Sequence, residues 1–154
     1  MKQTIYAKIN KIQIELLNTQ LKKTGRNNFS KYSYFELEDI LPSIMEKANK
    51  EHIMLTFRFT EKEAELHIID IITGEKFVNV VPVPEIKALN GGMNIIQSAG
   101  AFMTYLKRYL LLNTFGICEK SVIDSDEMSK AEAREARRNR VRPRQAQRQD
   151  VEGG

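Results

Sequence analysis

Met54-Leu-Thr-Phe-Arg-Phe-Thr60, Ala64-Glu-Leu-His-Ile-Ile-Asp-Ile-Ile72 and Lys76-Phe-Val-Asn-Val-Val-Pro-Val83 are three runs rich in β-branched and aromatic residues. The first alternates apolar and polar side chains, the period of a strand with one face on a core. Glu61-Lys-Glu63 marks a turn before the second run, and Thr73-Gly74 signals a two-residue hairpin before the third. In the second run the apolar pattern slips phase near Ile68 and Ile69, and a bulge is expected there. Pro82 donates no backbone hydrogen bond, so it pushes the end of the third strand to a sheet edge. Together these runs predict a three-stranded antiparallel meander.

Helical periods flank the meander. Ile5, Ile9, Ile12, Leu16 and Leu17 recur at helical spacing and predict an amphipathic helix over roughly residues 2–23, with Gly25 as its stop. Arg26-Asn-Asn-Phe-Ser-Lys-Tyr-Ser-Tyr34 is polar, basic and aromatic, with little periodicity, and reads as a structured loop. A second helix is expected from about Phe35 to Asn49, facing Leu37, Ile40, Leu41, Ile44 and Ala48 inward and carrying Pro42 in its early turns. Its acids Glu36, Glu38 and Asp39 suit a helix start, where carboxylates meet the positive end of the dipole. After the meander, Pro84 to Met93 reads as a flexible loop. A long apolar helix is expected from about Asn94 to Asn113, closed by Gly116. In that helix Gly100 is expected to permit close approach to the sheet, and Thr104 to bond back within the helix. The order is α-α-β-β-β-α, an α+β domain over residues 1–120 whose long helix covers one sheet face. Residues 121–154 lack an apolar pattern and are expected to form a charged, flexible tail.

With 154 residues, the chain has room for one ordinary domain. It is 42% hydrophobic, enough for a core, and carries a net charge of +4. That charge is uneven. Residues 1–120 hold 16 Lys or Arg against 13 Asp or Glu, a net of +3, whereas residues 134–148 hold seven Arg against the single Glu135. A basic globule with an Arg-rich tail suits a polyanionic partner. The lone Cys118 excludes an internal disulfide and a multi-Cys zinc site. His67 is expected to be structural. Neither a signal-peptide core nor a run of about 18 apolar residues is present, so no membrane segment is expected. Asn90-Gly-Gly-Met93 lacks the following Gly-Lys-Ser/Thr of a nucleotide-hydrolase loop, and neither a Gly-x-Ser-x-Gly elbow nor His-Glu-x-x-His occurs. A binding protein without cofactor is expected rather than an enzyme.

Chemistry concentrates in the long helix. Lys107 and Arg108 lie side by side in an otherwise apolar helix, between Tyr105 and Tyr109. A buried helix does not carry adjacent cations unless their heads reach water or an anion. Cations for phosphates beside flat rings for bases are what a single-stranded nucleic-acid site needs. Lys107 and Arg108 are the first candidates for phosphate contacts, followed by Lys31 and Arg26 in the aromatic loop. Arg58 and Lys76, on strands, are expected to line the same groove. Tyr32, Tyr34 and Tyr105 are candidates for packing against sugars or bases. For Tyr105 and Tyr109 the competing expectation is core packing with the hydroxyl at the edge.

Two blocks carry a family resemblance. Gly25-Arg-Asn-Asn-Phe-Ser-Lys-Tyr-Ser-Tyr-Phe-Glu-Leu-Glu-Asp-Ile40 and Gln97-Ser-Ala-Gly-Ala-Phe-Met-Thr-Tyr-Leu-Lys-Arg-Tyr-Leu-Leu-Leu112, followed by Phe115-Gly-Ile117, resemble the motifs of the phage essential-recombination-function (ERF) family of single-strand annealing proteins. Their order, with a β-meander between them, also matches. The resemblance spans roughly residues 5–118 and leaves the tail uncovered. It implies a single-stranded DNA-binding protein that anneals complementary strands in recombination without ATP, in the cytoplasm of a bacterial host. It further implies a β-β-β-α core and homo-oligomers, as rings or helical filaments. A single-strand-binding protein or an exonuclease of the recombination system would be further partners. The rival class is an RNA- or duplex-DNA-binding module, or an oligomeric protein-interaction scaffold.

Overall fold

Period-2 patterning becomes a three-stranded sheet in the computed structural model, which describes residues 2–29, 31–83 and 95–119, with Ile95–Gln97 by backbone only. Helix α1 spans Ile5–Leu17 and the short strands β1 and β2 span Gly25–Asn27 and Tyr32–Tyr34. Helix α2 spans Leu37–Lys50, followed by β3 (Ile53–Phe59), β4 (Glu63–Asp70), β5 (Lys76–Pro82) and α3 (Ile95–Phe115). The larger sheet is an antiparallel meander in the order β3-β4-β5, as the alternation predicts. Pro82 ends β5 on an outer edge of that sheet, where a missing N–H costs no ladder bond.

The sheet has one apolar side and one open side. Ala64, Leu66 and Ile68 of β4 are fully buried beneath the three helices, in one cluster with Ile5, Ile12, Ile40, Ile44, Leu110, Leu111 and Phe115. Each Leu, Ile and Phe among them contributes roughly 1.5–3 kcal/mol by leaving water. Long helix α3 packs on β4 and β5, as expected. It ends at Gly116, whose φ of 66° suits glycine, and Ile117 N–H donates to Leu112 O across the last turn at 3.0 Å. The other sheet face presents Met54, Thr56, Arg58, Val78 and Val80 to solvent, covered by no described element.

Four expectations are corrected. First, α1 stops at Leu17 rather than near residue 23. Asn18 Nδ2 and Thr19 Oγ1 donate to the carbonyls of Ile14 and Glu15, closing the helix, and Leu17 is exposed. Second, Gly25 is not a helix stop but begins a strand, and the structured loop expected at 26–34 is a β-hairpin pairing Gly25 with Tyr34, Arg26 with Ser33 and Asn27 with Tyr32. Third, β4 has no bulge. Its register runs unbroken from Ala64 to Asp70 against β3, and the apparent slip arises because Asp70 takes an inward slot while Ile71 and Ile72 lie exposed in the turn. Asp70 is tolerated there because Lys8 Nζ sits 2.8 Å from its carboxylate, and Ile72 and Thr73 N–H donate to it. The Lys8 hydrogen bond, with those two N–H groups, outweighs burial and holds the Asp70 carboxyl down to about 2. The connection to β5 is consequently residues 71–75, wider than a Thr73-Gly74 turn. Fourth, Gly100 faces open space rather than the sheet; a Cβ there would meet nothing within 4 Å. Thr104 Oγ1 does bond back, to Gly100 O at 3.1 Å. The expected loop at 84–93 and the tail at 121–154 lie outside the described residues.

Candidate nucleic-acid interface

The two motif blocks, some seventy residues apart, converge on one guanidinium. Leu106 and Leu110 point α3 into the core, which leaves Tyr105 and Tyr109 on its far flank at 48% and 41% exposure. Such exposure overturns core packing for both rings. Arg108 lies between them. Its side chain is only 11% exposed, and Nη1 donates to Phe35 O at 2.9 Å. The guanidinium carbon stands 4.8 Å from the Tyr34 ring centroid, 5.1 Å from Tyr109 and 5.7 Å from Tyr105. Arg108 therefore spends its charge inside the fold, joining hairpin to helix. Glu119, just past α3, completes the clamp. Its carboxylate accepts from Phe35 N–H and lies 3.9 Å from Arg108 Nη1.

Rings extend from this clamp in both directions. Phe102 stacks on Tyr105 at 6.2 Å and 11° between planes, and Tyr105 meets Tyr109 at 4.4 Å. On the hairpin, Tyr32 lies 6.0 Å from Tyr34. Tyr34 rests on Gly25, where a Cβ would stand 2.4 Å from the ring; only glycine lets the strand pass so closely. Burial first, then the Tyr105 hydroxyl, push the Tyr109 phenol up to about 12. A hydrogen bond with Glu36, then burial, raise Tyr34. Both rings stay neutral at any working pH, so neither repels a phosphate.

Asp39 fastens the hairpin's foot. It accepts from Thr24 N–H and Oγ1 at 2.9 and 2.8 Å, and from Glu36 N–H at 2.8 Å at the start of α2. Asp39 at that helix start is thus structural, as expected.

The other candidate residues are distributed. Arg26 and Lys31 are exposed on the hairpin, with no ion pair among the described residues, and Lys31 has a left-handed φ of 52°. Lys107 is half-buried, its ammonium 5.5 Å from the Phe57 ring on the helix-covered side of β3. Arg58 and Lys76 do not join it. Strand alternation turns both to the open face of the sheet, opposite α3, with Arg58 3.9 Å from Glu65. A shared groove with Lys107 is therefore corrected. His67 sits on that open face, 2.6 Å from Glu65. Among the described residues no cluster of three or more His, Cys, Asp or Glu converges on a metal site, and no helix is long and apolar enough to cross a membrane. Sequence reasoning missed Phe29, which stands 98% exposed at the hairpin tip; its place inside the first motif block was the available signal.

The model of the ERF superfamily matches residues 5–153, running past both motif blocks through the Arg-rich tail. Comparison with curated proteins and with solved structures returns no match.

Proposed function

This chain belongs to the ERF superfamily, and from that premise we propose that it binds single-stranded DNA and anneals complementary strands in phage recombination, without nucleotide hydrolysis. The observation that carries this is the meeting of the two motif blocks at Arg108: a basic hairpin and a ring-bearing helix locked together into one surface. Annealing has three physical requirements. Phosphates must be held by cations because two strands repel each other. Base edges must remain free to pair. The strand must stay extended so that register can be sampled.

Lys107, Arg26 and Lys31 take the phosphates, each presenting a charge that no described carboxylate neutralises. Tyr105, Tyr109 and Tyr32 offer ring faces to sugars or bases, which favours binding without sequence preference. Arg108 is a positioning residue: it fixes Tyr34 and the hairpin against α3. Arg58 and Lys76, on the opposite sheet face, belong to a different surface. A domain this small holds few nucleotides, so useful strand lengths need several copies side by side. The open sheet face with its exposed Met54, Val78 and Val80, and the edges β3 and β5, which pair with no further strand among the described residues, are apt for such assembly.

Affinities for single-stranded DNA, duplex DNA and RNA at one salt concentration test the proposal. Single-stranded DNA should bind tightest. Preference for duplex or RNA would replace it with the module reading, and no binding to any of the three would point to a protein-interaction scaffold.

A further inference from the structure

We propose that Phe29 is a stacking wedge, inserted between bases of the bound strand from the tip of the β1–β2 hairpin. This rests on the single-strand binding proposed above and adds a contact to it. Three observations carry the inference. Phe29 is 98% exposed, the most exposed of the large apolar residues described, so the fold leaves the transfer free energy of a whole phenyl ring unused. An exposed Phe alone would be ordinary, but this one stands on a braced tip. Asn27 Oδ1 accepts from Phe29 N–H at 3.0 Å, and Asn27 Nδ2 donates to Tyr32 Oη at 3.3 Å. Tyr32 leans on Tyr34, and Tyr34 lies under Arg108, so the brace runs from the tip to α3.

The third observation is charge. The hairpin carries Arg26 and Lys31, both exposed, and residues 22–34 contain no acid at all. A second protein surface would receive a bare phenyl without such a collar. A polyanion explains both: the cations hold successive phosphates while the ring takes the place of a neighbouring base. Every base has a π-face, so the contact is indifferent to sequence, as an annealing protein requires. One ring between two bases also spaces them apart, which keeps the strand extended.

The test uses the full chain, a fluorescein-labelled oligothymidylate and an abasic strand of equal length. Phe29→Ala should keep its far-ultraviolet circular dichroism, since the ring packs against little. It should bind oligothymidylate about 10-fold more weakly, within the range of one base–aromatic stack. The salt dependence should not change, because a phenyl neutralises no phosphate. On the abasic strand wild type and Phe29→Ala should bind alike. The chain contains no tryptophan, so Phe29→Trp is a single reporter: it should keep its affinity, and its emission should be quenched on adding oligothymidylate. Equal affinity of wild type and Phe29→Ala for oligothymidylate would overturn the wedge while leaving single-strand binding intact. So would an equal loss on the abasic strand, or Trp emission that changes with protein concentration before DNA is added. Failure of wild type to bind any strand would instead overturn the proposed function itself.

Discussion

Replacing Arg108 by Ala should unfold the protein far more readily than replacing Lys107 by Ala. The contrast follows from where the two heads sit. Arg108 is 11% exposed and donates to Phe35 O at 2.9 Å. A bond from a charged donor contributes about 1.5–3 kcal/mol. Its guanidinium also lies within 6 Å of three tyrosine rings, a contact of about 0.5–2 kcal/mol depending on desolvation. The two share one cation and do not simply add, and truncation also leaves the Phe35 carbonyl without its donor. A loss of roughly 2–4 kcal/mol results. Lys107 makes one ring contact at 5.5 Å, about 0.5–1 kcal/mol. Arg108→Lys should fall nearer to Ala than to wild type, because an ammonium lacks the planar fork that stacks and donates together. Urea unfolding followed by circular dichroism measures this. The midpoint of Arg108→Ala should drop well below that of Lys107→Ala at unchanged slope. Equal midpoints for Arg108→Ala and wild type would refute the view of Arg108 as a strut, and would return it to the surface as a phosphate contact.

Lys107→Ala, while remaining folded, should weaken single-strand binding and lower the slope of log affinity against log salt by roughly 0.7, one phosphate's share; titrations at several salt concentrations read this directly. Gly25→Ala would put a methyl 2.4 Å from the Tyr34 ring, so it should lower both the unfolding midpoint and DNA affinity, with Ser33→Ala on the facing strand as the benign control. Acid should act through Asp70. Its folded-state carboxyl is depressed to about 2 from 3.8, so its contribution is fully present above about pH 4 and is lost as pH falls from there toward 2. Asp70→Asn should be less stable than wild type at neutral pH and should lack that component of the acid transition; identical acid profiles would count against the pairing with Lys8.

The meander was legible because Leu55, Phe57 and Phe59 of β3 alternate with Thr56 and Arg58 and turn residues separate the three runs, and such a pattern needs no partner to be seen. Helix α3 was legible for the same reason, through its long apolar run. What escaped depends on distant residues. Asp70 disguised the phase of β4 because its inward slot is stabilised by Lys8, far away in α1. The hairpin has strands of three residues, too short for a periodic signal, and its pairing is supported by Tyr34 packing on Gly25 and against Arg108. The Lys107-Arg108 pair was visible as chemistry, but nothing local distinguishes an Arg that stacks inward from one that faces solvent. The Phe35 carbonyl and the Tyr34 ring, supplied by the other motif block, make that choice together with Glu119. Arg58 and Lys76 were misplaced because strand alternation assigns a face only once the covered side is known.

Pairing of two complementary labelled oligonucleotides, followed by fluorescence in the presence of a chelator and without ATP, tests the central claim most directly. Wild type should accelerate annealing well above the spontaneous rate, over a limited window of protein-to-DNA ratio. No acceleration at any ratio, from protein shown to bind single-stranded DNA, would contradict it.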